Sequence, residues 1–158
     1  MKRLFIFLVI LLAAAGSFLT WLFDREKDGV PILSYHQIND IDQNNLTLTV
    51  EQFDAQMKYL VDNGYNVITP NQLLDSWEEG GAPLPENPVV ITFDDGHVDI
   101  YKNVYPILQK YNLKATFFLV TDYVNLYPNY VTWEQAREMQ ESGFADIESH
   151  TLDHRLLN

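Results

Sequence analysis

From Pro31 onward, short runs rich in β-branched and aromatic residues alternate with amphipathic helical segments, and this alternation constrains the fold more than any other feature of the chain. A helix between two strands returns the chain to the starting end of the sheet, so the strands pair in parallel and the expected class is α/β. The expected strands are residues 32–35, 66–68, 89–93, 115–120 and 145–149. Between the first two, Phe53, Met57, Leu60 and Val61 fall at i, i+4, i+7 and i+8, one face of a helix that Asn63-Gly64 stops. Thr49 with Gln52, Thr69 with Gln72 and Thr132 with Gln135 each fit a capping box, in which the hydroxyl and the amide satisfy free backbone N–H groups at a helix start. Pro106 predicts a kink near Tyr105 in the helix that follows Gly96.

Residues 4–23 form a separate unit, an uncharged apolar stretch behind Lys2 and Arg3. Its 20 residues suffice to cross the hydrocarbon core as a helix. The basic pair before it and the charged Asp24-Arg25-Glu26-Lys27-Asp28 after it orient the remainder outward. The expected organisation is therefore residues 1–23 as transmembrane anchor or signal peptide, 24–30 as linker, and 31–158 as the N-terminal, incomplete portion of an α/β domain. Cleavage as a signal peptide, with 4–12 as the apolar region and Ala13-Ala14-Ala15 as the cleavage site, is the alternative, because the apolar character runs on past the alanines to Phe23. The first reading gives a single-pass membrane protein with an extracytoplasmic domain, the second a secreted one.

The 158 residues carry 22 acidic against 10 basic side chains, a formal charge of -12, which argues against a nucleic-acid partner because like charges repel. With no cysteine, disulfides, thiolate nucleophiles and Cys-ligated zinc are excluded. Any metal must be held by histidine and carboxylate. In parallel α/β folds, functional groups gather at the carboxyl ends of strands, and three strand ends here carry them. These are Ser34-Tyr35-His36, Asp94-Asp95-Gly96-His97 and His150 through His154. His150 and His154 are four apart, so a helical turn would put both imidazoles on one face. Successive side chains of an extended backbone point to opposite sides, so Asp94 and Asp95 suit different jobs, one as ligand and one as proton acceptor. Two histidines and one aspartate make a three-ligand site with open positions, the catalytic arrangement for zinc, and the same donors accept cobalt, nickel or manganese.

Thr92-Phe93-Asp94-Asp95-Gly96 and His150-Thr151-Leu152-Asp153-His154 resemble the first and second motifs of the polysaccharide deacetylase family, also described as the NodB homology domain and as carbohydrate esterase family 4. Residues 31–38, with their strand-end Tyr35-His36, further resemble the branch that deacetylates poly-β-1,6-N-acetylglucosamine in biofilm matrices. The resemblance implies Asp94 as general base, Asp95, His150 and His154 as metal ligands, and His36 as general acid. It implies a divalent metal, zinc first, and an N-acetylglucosamine polysaccharide as substrate. The reaction would be hydrolysis of N-acetyl groups, releasing acetate and free amine. The implied fold is a distorted (β/α) barrel, of which this chain supplies about five strands, because the resemblance covers only the front part of the family domain.

His97 is expected as a loop residue and Tyr35 as packing. Trp77, Trp133, Tyr123, Tyr127 and Tyr130 are candidates to stack on sugars, with packing the commoner use of such residues. Rival functions are an inactive remnant that binds metal or saccharide, and a deacetylase of chitin oligomers or peptidoglycan. A serine hydrolase is discounted, since no G-x-S-x-G occurs.

Overall fold

The computed structural model describes residues 29–42 and 44–155. The apolar stretch of residues 4–23, with the anchor and cleavage expectations attached to it, lies outside the described residues. Among the described residues no helix is long and apolar enough to cross a membrane.

In chain order the elements are β1 (Ile32–Tyr35), β2 (Gln37–Ile38), β3 (Thr47–Leu48), α1 (Val50–Asp62), β4 (Asn66–Ile68), α2 (Pro70–Asp75) and β5 (Pro88–Phe93). A π-helical turn (Ile100–Val104) then leads into α3 (Tyr105–Tyr111), followed by β6 (Ala115–Leu119), α4 (Trp133–Glu141) and β7 (Ala145–Ser149). β1, β5, β6 and β7 lie side by side in that order, and β4 also pairs with β5. Every pairing is parallel, as the alternation required. The pair β2 and β3 has no signature in the sequence, because two residues per strand are too few for a periodicity to show.

All three capping boxes form, each with the threonine hydroxyl accepting from the glutamine N–H and the glutamine carbonyl accepting from the threonine N–H. In α1, Phe53, Met57 and Leu60 are buried, but Val61 is 44% exposed and does not join that face. Each residue turns a helix by ~100°, which places Val61 about 80° round from Phe53, past the edge of the stripe the other three define. The irregularity expected near Tyr105 takes the form of the π-helical turn, closed by the Tyr105 N–H donating to the Ile100 carbonyl. Pro106, which has no N–H to donate, falls in the first turn of α3, where none is needed.

The centre of the core is β5, whose residues from Val89 to Phe93 are all buried. Tyr35, Phe93 and Phe117 form one rung across β1, β5 and β6, their rings stacked at 5.2 and 5.0 Å, with Phe53 of α1 edge-on to both Tyr35 and Phe93. This rung ends β1 and β5 at the same level. The next residues, His36 and Asp94, therefore leave the sheet side by side.

Candidate active site

Register places the first half of the site. The Asp94 N–H donates to the Tyr35 carbonyl at 2.9 Å, continuing the β1–β5 ladder one step beyond the aromatic rung. Nε2 of His36 then lies 3.9 Å from Oδ2 of Asp94, and the Ser34 hydroxyl donates to the same oxygen at 3.3 Å. The Asp94 side chain keeps about a fifth of its surface open, 22%, so a substrate can reach it. Beneath this pair Tyr35 packs as expected, its hydroxyl donating to Oε1 of Gln56 at 2.7 Å, and burial pushes its phenol pKa up to about 12.

Backbone turns place the second half. Asp95 adopts a left-handed conformation with φ 71°, and Gly96 follows at φ 85°. A side chain at Gly96 would put its first carbon 2.8 Å from Cδ2 of Leu119, so only glycine lets this turn lie against the end of β6. The Val120 N–H donates to the Asp95 carbonyl, and Asp95 is thereby turned away from β1 toward β7. Its Oδ1 lies 3.6 Å from Nε2 of His150 and 3.3 Å from Nε2 of His154.

The two histidines meet differently from the helical turn expected of their spacing. Thr151 at φ 71° and His154 at φ 58° are both left-handed, which no helix tolerates over five residues. The segment instead folds back on itself, with the His154 N–H donating to the Thr151 hydroxyl at 3.0 Å, and the ring centroids come within 5.1 Å. Backbone N–H groups of Thr121 and Asp122 donate to the carbonyls of Thr151 and Leu152, fastening the turn to the loop after β6. A β-branched residue at positive φ costs ~1–3 kcal/mol, and such strain concentrates at functional sites.

The donor set fits a metal ion. Oδ1 of Asp95 is buried with no hydrogen-bond partner among the described residues, an expensive state for a carboxylate oxygen unless something binds it. One ligand atom from each of Asp95, His150 and His154 lies within 4.8 Å of the others. Two ligands ~2.1 Å from a tetrahedral centre sit about 3.4 Å apart, and the two Asp95–His separations straddle that value.

His97 is a loop residue, as expected, and it also touches the site. Its Nε2 lies 3.6 Å from Oδ2 of Asp95, the oxygen facing away from His150 and His154, and its ring stacks on Tyr130 at 4.7 Å. The signal was its position two residues beyond Asp95 across the left-handed glycine, a cue that cannot be used before that turn is known. Tyr130 has its pKa raised by burial and then by the Asp95 charge. Tyr123, Tyr127 and Tyr130 pack on one another, while Trp77 is largely exposed.

Residues 81–158 match the family model for polysaccharide deacetylase. YxkH of Bacillus subtilis, grouped by name with the polysaccharide deacetylases, is 40% identical over 138 residues, covering 87% of this chain and 48% of its own length. The poly-β-1,6-N-acetyl-D-glucosamine N-deacetylases of Staphylococcus epidermidis and Escherichia coli K12 are each 31% identical, covering 81% and 78% of this chain and 50% and 21% of theirs. The chain thus spans at most about half the length of these relatives. Among solved structures, Streptococcus pyogenes deacetylase PplD, in complex with acetate, superposes with a TM-score of 0.73 at 30% identity, over 80% of this chain and 57% of that one. A de-N-acetylase from Aggregatibacter actinomycetemcomitans gives 0.70 at 34%, over 78% and 55%.

Proposed function

Because the chain belongs to the polysaccharide deacetylase family, we propose that it carries the metal-binding and proton-transfer half of an enzyme that hydrolyses N-acetyl groups of an N-acetylglucosamine polysaccharide. The observation that carries this reading is the division of labour between neighbouring carboxylates: Asp95 presents a buried, partnerless oxygen to two imidazoles, while Asp94 faces His36. The relatives named for poly-β-1,6-N-acetyl-D-glucosamine favour that polymer as substrate. The apolar stretch behind Lys2-Arg3 favours a membrane-anchored domain facing outward, where such a polymer is found.

Asp95, His150 and His154 would hold the cation, with zinc the first choice for two imidazoles and a carboxylate. When bound, it supplies Lewis-acid polarisation of the acetyl carbonyl and a lowered pKa for water. The chain's own residues supply the proton traffic. Asp94 takes a proton from the water whose oxygen bonds to the acetyl carbon. The Ser34 hydroxyl, donating to Oδ2 of Asp94, holds that carboxylate facing the site. His36, as imidazolium, gives a proton to the amide nitrogen as the carbon–nitrogen bond breaks, so a neutral amine and acetic acid leave, and the acid gives its proton to solvent to become acetate.

The test is a chimaera in which residues 31–158 replace the matching half of the Staphylococcus epidermidis relative, assayed for acetate release from β-1,6-linked N-acetylglucosamine oligomers. Turnover should vanish on chelation and return with zinc, and Asp94→Asn should lower it at least ~10²-fold, the lower end for a general base. A chelator-resistant hydrolysis, or an Asp94→Asn chimaera of undiminished activity, would contradict the reading.

A further inference from the structure

We propose that Asp99 is a positioning residue that holds the segment bearing His36, and so sets where that imidazole stands relative to Asp94. The proposal rests on the reading of His36 as an acid only for its functional consequence; the clamp itself is a matter of geometry. Asp99 is 7% exposed, and no basic side chain among the described residues pairs with it. Both of its contacts are made by Oδ2, which accepts from the Ile38 N–H at 2.8 Å and from Nδ2 of Asn39 at 3.0 Å. Four residues on, Nδ2 of Asn103 donates to the Ile38 carbonyl at 2.7 Å. Both main-chain polar groups of Ile38 are therefore held by side chains of the π-helical turn, Asp99 at its cap and Asn103 near its end, across 61 and 65 residues of sequence. Residues four apart on a helix share a face, which is why Asp99 and Asn103 reach the same peptide.

The clamp ties this segment to the stretch of chain that follows Asp94, whereas its other hydrogen bonds, from the Gln37 and Asn39 N–H groups to the Leu46 and Leu48 carbonyls, tie it only to the small β2–β3 pair. β1 ends at Tyr35, and β2 pairs only with the two-residue β3, not with the main sheet. His36 sits between the β1–β5 rung and the buried Ile38, so the peptide that Asp99 and Asn103 hold is the anchor on its far side from the main sheet. The segment holding it begins five residues after Asp94, so one stretch of chain carries the proposed base and fastens the proposed acid. Oδ1 of Asp99 is buried with no partner, a cost that the fold retains together with the Oδ2 contacts. Because Oδ2 takes both donors, an asparagine with its carbonyl oxygen in that place serves them equally.

The experiment uses the whole 158-residue chain, labelled with ¹³C and ¹⁵N, and compares the wild type with Asp99→Ala, Asp99→Asn and Asn103→Ala. Asp99→Ala should speed amide exchange at Ile38 at least ~10-fold and shift or broaden the His36 imidazole signals, while those of His150 and His154 stay in place. Asp99→Asn should restore both readouts, and Asn103→Ala, which leaves the carboxylate intact, should reproduce a weaker form of the same local change even if Asp99→Ala fails to fold. His36 signals unmoved in Asp99→Ala and Asn103→Ala, or an Asp99→Asn chain no better than the alanine variant, would overturn the proposal. The acid role is read separately in the chimaera, where His36→Ala should slow amide hydrolysis more than hydrolysis of an aryl acetate, whose leaving group needs no proton. Equal losses there would refute the role of His36 without touching the clamp.

Discussion

The two halves of the site are built by different means. His36 and Asp94 are brought together by strand register: Tyr35 pairs with Phe93, and the residues after them emerge next to each other. Asp95 and His154 are brought to His150, the residue that follows β7, by left-handed backbone at Asp95, Gly96, Thr151 and His154, none of it in a strand or a helix. The first half inherits the rigidity of an aromatic rung and a buried central strand. The second has only His150 on a ladder, its N–H donating to the Leu119 carbonyl at 2.8 Å one step past the end of β6 and β7, while Asp95 and His154 depend on loops fastened by a few N–H groups from the loop after β6. A protein that must position a proton acceptor to within hydrogen-bonding reach gains from the first arrangement. Ligands that close around an ion gain from the second, since binding supplies part of the ordering free energy.

The largest expected effect lies on the loop-built side. His150→Ala and His154→Ala should each weaken zinc binding by well over ~10²-fold, more than the ~10–100-fold that losing an outer partner costs, as read by competition with a chromophoric chelator. Unchanged affinity in both variants would show that the backbone turns gather these rings for another reason.

A smaller effect is expected where the two halves join. Gly96→Ala forces a side chain into a left-handed residue and against Leu119, and should destabilise the fold by about 1–3 kcal/mol in urea unfolding. It should also weaken zinc binding, since Asp95 must move. Loss of stability with full affinity would separate the turn from the ligand it carries.

The smallest concerns a pair remote from both halves. Lys110 donates to Asp54 at 2.7 Å between α3 and α1, and its hydrogen bond, followed by that of Tyr111, holds the half-buried Asp54 carboxyl below its ordinary pKa. A carboxylate whose pKa is depressed by folding contributes stability above its unfolded pKa, and that contribution is lost as pH falls through the folded pKa. Lys110→Ala should return the Asp54 carboxyl toward the ordinary range in a ¹³C titration and leave zinc binding at neutral pH unaltered. A change in zinc affinity would mean that the helical layer and the site are coupled.

What the sequence disclosed follows the same division. Period and capping govern the sheet and its helices, so the five strands, the three capping boxes and the placing of His36 and Asp94 at the same end of the sheet were legible from apolar runs and Thr-x-x-Gln spacings, while the pairing of β1 with β5 that makes the two neighbours was not. The meeting of His150 with His154 was legible only as a spacing, and the conformation behind it was not, because φ at Thr151 answers to tertiary contacts rather than to local preference. His97 stands in a loop as expected, but its approach to Asp95 was not legible, since that contact exists only once Gly96 has turned the chain. Asp99 gave no signal at all: a lone aspartate before a helical segment reads as a solvated cap, and its partner Ile38 is about sixty residues away.

The central claim is that adjacent aspartates divide binding from chemistry. Zinc affinity of Asp94→Asn and Asp95→Asn, measured side by side on the same chain, tests it most directly. Asp94→Asn should bind within about threefold of the wild type, because its carboxylate faces His36 and not the ligand set, whereas Asp95→Asn should lose at least ~10²-fold. Equal losses in the two variants, or the larger loss in Asp94→Asn, would contradict the account.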